Sequence, residues 1–565
     1  GWHMLRLPLW GWWPLLFNLS LWLTGVMLFF PKDAIRKKWL GAATLSGVLL
    51  GIGFPPSPLT FVVIFAMIPL LAVENGIYQR EERTKPGQVF LFSLHAFVLW
   101  NVIATFWVTN TAFVAGLFAN YVNAVLMACV MVLIHIFSRR LPPRLFTLIF
   151  ISFWIAFEYL HHQWDTSWPW LTLGNSMAEY PWAIQWYEFT GIFGGSLWIL
   201  GLNLLGYAII MRWLRAKPLK IYNYILLLVI PLIVSALLWI KTKPSDAQPV
   251  SVVVVQPNFE PHFEKFDIPQ SQQSLRFQKL SKEILDSNDY YLVFPETSFE
   301  GVQLNAFREN KVIDIFQKLI DQYPHLHLVA GLSSYRILTA DELEGSNVRI
   351  HKNGDGNETY WDIQNSAVQM TSGLESFQVY FKSKFVPGPE IFPYKKYLFF
   401  LKPIVEKLGG SYEGHTSQKE RSVFTGGPLI VAPIICYESV YGNYTGEYVR
   451  KGATAFFIIT NDGWWDVTPG HTQHLKLGAL RAIEHRRPIA RSANSGTSCF
   501  INIKGQILQP TRYGEATAIR GQIIPETRLT FYTKYGDVIA ISAAIITIII
   551  LLAGFAMMIR KRIYR

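Results

Sequence analysis

The chain has 565 residues, of which 51% are hydrophobic and only 16% charged, with a formal net charge of +12. That is too apolar for a soluble protein of this length, so membrane segments are expected and a purely soluble enzyme is excluded. The basic excess does not call for a nucleic-acid partner, because many Lys and Arg residues stand in short runs beside apolar stretches, where membrane topology accounts for them.

Apolar stretches approaching the ~20 residues needed to cross a bilayer recur through the first 240 positions. They fall near 12–30, 38–54, 58–76, 88–109, 112–137, 144–160, 188–213 and 221–240, and a last one covers 536–559. Every second loop is basic. Arg36, Lys37 and Lys38 follow the first stretch, Arg80, Arg83 and Lys85 the third, and Arg139, Arg140 and Arg144 the fifth. Arg212, Arg215, Lys217 and Lys220 follow the seventh, and Arg560, Lys561, Arg562 and Arg565 the last. Basic loops face the cytoplasm, so nine spans put residues 241–535 on the outer side. The expected organisation is a transmembrane helical domain over 1–240, an outer catalytic domain over 241–535, and a final span with a basic tail over 536–565.

Between 241 and 535 the character changes, and Gly, Pro, Asn and charged residues become common. Unbroken β-rich runs appear at Ser251–Val255, Tyr291–Phe294, Leu326–Ala330, Leu429–Ile435 and Ala455–Ile459, with amphipathic helical stretches at 271–286 and 310–323 between them. Apolar strands separated by helices predict a buried sheet in an α/β domain. Roughly 290 residues suffice for a full core.

Three strand ends carry candidate chemistry. Phe294-Pro295-Glu296-Thr297 places a carboxylate just after a buried strand, where poor hydration raises its pKa and suits it to proton transfer. Tyr380-Phe381-Lys382 opens a polar segment that ends at Glu390. Ile434-Ile435-Cys436-Tyr437-Glu438 puts a thiol at the end of a third strand, where a neighbouring base and cation would give the thiolate that acyl transfer needs. If that strand continues, Cys436 and Glu438 face the same side. Singly, each has a plain structural explanation: a turn residue, a solvated lysine, a packed cysteine. Glu, Lys and Cys at three strand ends of one α/β domain exceed chance patterning. Cys129 and Cys499 read as packing residues, and three cysteines without CxxC spacing make neither a disulfide framework nor a zinc site. The histidines lack metal-ligand spacing, and no phosphate-binding glycine motif is present.

At these residues the chain resembles the nitrilase (carbon–nitrogen hydrolase) superfamily, and within it the membrane-bound apolipoprotein N-acyltransferase branch. Val255-Gln256-Pro257-Asn258 looks like the family's first strand and loop, Phe294-Pro295-Glu296-Thr297 like its glutamate motif, and Lys382 with Phe385-Val386-Pro387 and Glu390 like its lysine motif. Ile435-Cys436-Tyr437-Glu438 looks like the nucleophile motif. Thr460-Asn461-Asp462-Gly463-Trp464, Gln473-His474, Arg481-Ala482-Ile483-Glu484 and Arg491-Ser492-Ala493-Asn494-Ser495-Gly496 look like the elements that follow it. Gly53-Phe54-Pro55-Pro56 and Trp168-Pro169-Trp170-Leu171 extend the resemblance into the membrane region. Lys384 stands in place of the family's usual His, Gly388-Pro389 in place of an aromatic-Gly pair, and Phe266 about where a Trp is frequent.

The resemblance implies a multi-pass α-helical membrane domain plus an extracytoplasmic α/β domain of nitrilase type, an αββα sandwich. It implies an acyltransferase with Glu296, Lys382 and Cys436 as catalytic residues, Glu390 and Glu438 as accessory carboxylates orienting Lys382 and shaping the pocket, and Tyr437 and Trp464 as pocket walls. An acyl chain would move from a glycerophospholipid, through a Cys436 thioester, to the N-terminal diacylglyceryl-cysteine of an apolipoprotein. No cofactor and no metal is implied. The expected partners are the two lipid substrates and the bilayer, with the chain a monomer in the bacterial cytoplasmic (inner) membrane. Two alternatives stay open: a membrane-anchored amidase of nitrilase type, separated by whether water or an amine resolves the thioester, and an inactive nitrilase-like scaffold or transporter.

Overall fold

A computed structural model describes residues 9–80, 86–343, 347–352, 358–373, 377–403 and 412–563. Arg83, Lys85 and Arg565 of the basic runs lie outside the described residues. The described chain forms two compact units, one of Gly1–Lys241, Thr468–Lys476 and Tyr535–Arg565, the other of Thr242–Val467 and Leu477–Lys534.

The first unit is helical, and each of the nine expected stretches contains helix. Among the described residues, seven helices are long and apolar enough to cross a membrane: Thr60–Gln79, Pro86–Thr105, Phe113–Arg140, Pro143–Gln163, Tyr187–Leu214, Tyr222–Lys241 and Val538–Met557. The other two fall short for different reasons. Trp13–Leu28 has 16 residues, about 24 Å of helix against a hydrocarbon core of about 30 Å. Ala34–Ile52 carries Arg36, Lys37 and Lys38 in its opening turns.

Within this unit the segment Thr468–Lys476 is anchored at the Gln473 amide and by a Lys476–Glu179 ion pair (3.1 Å). The Gln473 Oε1 accepts from the indole N–H groups of Trp107 (3.1 Å) and Trp170 (2.7 Å), while its Nε2 donates to the carbonyls of Pro55 (2.7 Å) and Ala104 (2.9 Å). Every hydrogen-bonding position of that side chain is filled, as a buried amide requires. His474 beside it stacks on Trp170.

The second unit is α/β. Its strands are β1 (Val250–Gln256), β2 (Tyr291–Val293), β3 (Phe299–Gln303), β4 (His327–Ile337), β5 (Arg349–Lys352), β6 (Glu358–Thr371) and β7 (Gln378–Phe381). They continue with β8 (Val431–Ile435), β9 (Ala455–Thr460), β10 (Ile489–Ala493), β11 (Cys499–Ile501), β12 (Ile507–Leu508) and β13 (Thr517–Ile523). An eight-stranded sheet runs β13-β1-β2-β4-β6-β5, with β3 on β4 and β7 on β6, and a five-stranded sheet runs β12-β11-β10-β9-β8. The central strands β1, β2 and β4 are parallel, as are β8, β9 and β10.

The apolar runs follow from burial on both faces: every residue of β1, β8 and β9 is buried. One face of the larger sheet packs on helices Gln270–Lys282 and Lys311–Ile320 through Val253, Val255, Phe277, Leu292, Phe316 and Leu328. The two sheets meet where Ser492 Oγ donates to the Val255 carbonyl (2.8 Å) and Tyr291 stands edge-on to Phe457. Parallel strands release their chains at the same end of each sheet. That end carries Glu296 after β2, Lys382 after β7, Cys436 after β8, Asn461 after β9 and Asn494 after β10.

Candidate active site

The loop after β2 approaches β4 so closely that β4 tolerates only glycine there. A Cβ on Gly331 would stand 2.6 Å from the Glu296 Cα and 2.7 Å from the Pro295 oxygen. Thr297, the next residue, sits in the left-handed region at φ +51°, an unusual conformation for a β-branched side chain. Cys436 is also left-handed, at φ +49°. The strand expected to continue through it stops at Ile435, and Cys436–Val440 forms a 3₁₀ turn. Alternating faces therefore do not relate Cys436 to Glu438.

Glu296, Lys382, Glu390 and Cys436 come together in one buried cluster. Lys382 is 1% exposed and Glu296 6%. The Lys382 ammonium donates to Glu296 Oε1 (3.0 Å) and Glu390 Oε1 (2.7 Å). Asn365 Nδ2 donates to Glu296 Oε1 (2.8 Å) and Glu390 Oε1 (3.3 Å). The Asn461 amide donates to Glu296 Oε2 (3.2 Å), and the Cys436 thiol bonds the same carboxylate. Glu390 is itself fixed, since Val386 N–H donates to its Oε2 (2.7 Å).

This geometry corrects the expectation that Glu296 has a raised pKa. Burial does push the carboxyl up, but the Lys382 charge and the donors from Lys382, Asn365 and Cys436 outweigh it, so Glu296 is held below its ordinary value of 4.5. Burial likewise opposes the Lys382 charge, yet Glu296 and Glu390 hold that ammonium well above its usual value. Burial and the Glu296 charge push the Cys436 thiol up, against a smaller downward pull from Lys382. The resting site thus pairs a carboxylate with a neutral thiol and an ammonium.

Glu438 belongs to an adjoining network and makes no bond to Lys382. Its Oε1 accepts from the hydroxyls of Tyr380 (2.6 Å) and Tyr444 (2.5 Å) and from Ser383 N–H (2.8 Å), and its Oε2 from Ile435 N–H (2.9 Å). Ser383 follows Lys382 and Ile435 precedes Cys436, so one carboxylate ties the lysine segment to the cysteine turn. Burial pushes Glu438 up, although these four donors oppose it. Tyr437 and Trp464 enter through ring contacts. Buried Tyr437 stands edge-on to Tyr441, whose ring carries Lys384 Nζ 4.9 Å from its centroid. Trp464 stacks on Phe266 and meets His262 edge-on.

Two residues in the cluster escaped the sequence reading. Asn365 lies within β6, whose buried polar residues hide it among strand positions. Lys265, 2% exposed, follows no strand and belongs to no quoted motif. Asn461, quoted with the elements that follow the nucleophile motif, contributes to the cluster through its main-chain N–H. Among the described residues no group of His, Cys, Asp and Glu could hold a metal ion.

Residues 246–527 match the carbon–nitrogen hydrolase family and residues 46–205 the apolipoprotein N-acyltransferase N-terminal domain. The α/β unit has the carbon–nitrogen hydrolase fold, carried by a chain with a helical membrane domain. An apolipoprotein N-acyltransferase from Chlorobaculum tepidum is 29% identical over 88% of this chain and 92% of its own length. One from Geobacter metallireducens is 26% identical over 90% of this chain and 94% of its own. Among solved structures, Saccharomyces cerevisiae Nit3, of branch 10 of the nitrilase superfamily, is similar at 13% identity, covering 50% of this chain and 94% of its own with a TM-score of 0.35. The chain belongs to the apolipoprotein N-acyltransferase branch of the carbon–nitrogen hydrolase superfamily.

Proposed function

We propose that the protein transfers a fatty acyl chain from a glycerophospholipid to the α-amine of a diacylglyceryl-cysteine at the N-terminus of an apolipoprotein, with Cys436 as nucleophile, Glu296 as base and Lys382 as oxyanion donor. The observation that carries this reading is the Glu296 carboxylate held between the Lys382 ammonium and the Cys436 thiol. Glu296 takes the thiol proton as the sulfur attacks the ester carbonyl, forming a C–S bond. Two of the three Lys382 protons are committed to Glu296 and Glu390. The third is available to the developing oxyanion, where a positioned donor acts most strongly. Glu296 then protonates the departing lysophospholipid alcohol as its C–O bond breaks. The incoming amine attacks the thioester in the reverse sense, giving an amide and regenerating the thiol, so ping-pong kinetics follow.

A lipid substrate accounts for the seven apolar helices better than a soluble amide does, which favours acyl transfer over amide hydrolysis. The basic runs after every second span support a cytoplasmic-membrane protein whose α/β unit lies outside, tied at both ends to apolar helices. The test is incubation of the full chain with acyl-labelled phospholipid and a diacylglyceryl-cysteine peptide. The expected results are a fatty-acyl mass on the Cys436 peptide before the acceptor is added, and N-acylated peptide afterwards. Free fatty acid without N-acylated peptide would replace the transferase by a hydrolase.

A further inference from the structure

We infer that Lys265 is a positioning residue that holds the main chain of Glu296 and Thr297 in the conformation that aims the Glu296 carboxylate at Cys436. This rests on Glu296 being the base for Cys436.

Lys265 is fixed before it reaches the site: its N–H donates to the Glu260 carbonyl (2.8 Å), and Gln273 Nε2 donates to its carbonyl (2.6 Å). Its ammonium donates to the Glu296 carbonyl oxygen (3.2 Å) and to Thr297 Oγ1 (2.5 Å). These acceptors flank the peptide bond between Glu296 and Thr297, where the chain turns left-handed. Gly331 presses against the same segment, and Ser298 N–H donates to the Gly331 carbonyl (2.8 Å). The loop is therefore held both by β4 and by one buried cation.

A β-branched residue with positive φ is strained and persists only where its surroundings impose it. The Lys265 ammonium supplies that constraint, and it does so while strongly desolvated. Burial brings its pKa down to about 8 despite the opposing charges of Glu300 and Glu296. A buried cation whose bonds go to main chain and hydroxyl, beside a carboxylate already served by Lys382, spends its donors on loop geometry.

The constraint makes a specific prediction of non-additivity. Glycine adopts positive φ without strain, so Thr297→Gly should make Lys265 less necessary. The experiment is single-turnover formation of the Cys436 acyl adduct by the full-length protein in mixed micelles, using a phospholipid with a fluorescent acyl chain. Lys265→Met is expected to slow adduct formation by about 10-fold or more, with the half-saturating phospholipid concentration unchanged, as for a misaligned reacting group. Lys265→Met with Thr297→Gly is expected to recover most of that loss. If Lys265→Met does not accumulate as folded protein, the added Thr297→Gly is expected to restore accumulation. Adduct formation by Lys265→Met within about twofold of the parent, or a double variant no better than independent effects allow, overturns the inference alone. No adduct in the parent protein removes the acyl-enzyme reading, and this inference with it.

Discussion

Two buried carboxylates serve the lysine and cysteine segments, and they are kept in opposite ways. Glu296 has a cation against it and is held below its ordinary pKa, whereas Glu438 is surrounded by hydroxyl and amide donors and is pushed up. Burial acts on both in the same direction, so the Lys382 ammonium makes the difference. The lesson is a division of labour: the group proposed to exchange a proton is given a full charge, and the group that ties the lysine and cysteine segments together is given dipoles.

The contrast can be broken from either end. Cys436→Ala should abolish the acyl adduct while leaving both carboxylates bonded to their other partners. Mass spectrometry of the purified variant checks the first part, and an unchanged melting temperature the second.

Lys382→Met should be nearly as damaging, with a loss of roughly 10²-fold or more in adduct formation. It also leaves Glu296 and Glu390 buried without their cation, a destabilisation of about 3–5 kcal/mol. Without Lys382 the charge that most opposes the burial of Glu296 is gone, so its pKa rises and the acid limb of the pH–rate profile moves to higher pH. In the parent protein the sign runs the other way. Glu296 is lowered, so its stabilising contribution is complete above the unfolded carboxyl value near 4.5 and fades as pH falls through the lower folded value. A pH profile unaltered by Lys382→Met would remove the account of the contrast.

Glu438→Gln sharpens the comparison. Four donors point at this side chain, and an amide offers one acceptor oxygen, so at least one donor loses its partner, at about 1–3 kcal/mol. The loss should appear in chemical denaturation, with a smaller fall in activity than for Lys382→Met. Tyr444→Phe should have the smallest effect, about 1 kcal/mol, since three donors remain on Glu438. A Tyr444→Phe loss as large as that of Glu438→Gln would mean that the hydroxyl network, not the carboxylate, ties the two segments.

The legibility of the fold followed burial. Strands β1, β2, β4, β8 and β9 stood out because their buried stretches are covered on both faces and are dominated by Val, Ile, Leu, Phe and Ala. Strand β6 did not, because its buried positions include Asp362, Gln364, Asn365, Ser366 and Gln369, whose side chains hydrogen-bond within the strand or to neighbouring segments. Apolar periodicity cannot report a strand whose interior is polar. The same reason concealed Asn365, whose importance lies in two acceptors distant in sequence. Glu296, Lys382 and Cys436 were legible because each ends a strand. The charge balance among them was not: hydration argued for a raised glutamate, and only the placement of Lys382 reversed it. Each of the nine apolar stretches contains helix among the described residues, but the 16 residues of Trp13–Leu28 show that an apolar run can yield less helix than its length suggests.

Gly331 carries a consequence for inherited variation. The gene cannot alter this position by even the smallest step, since one added methyl group would collide with the main chain on both sides of Glu296. A missense change there leaves glutamate, lysine and cysteine intact in the protein's text while displacing the Glu296 main chain, and with it the proposed base. Reading a related chain for its three reactive residues alone would therefore pass a damaged enzyme as sound, and the codon for this glycine belongs in any such diagnosis.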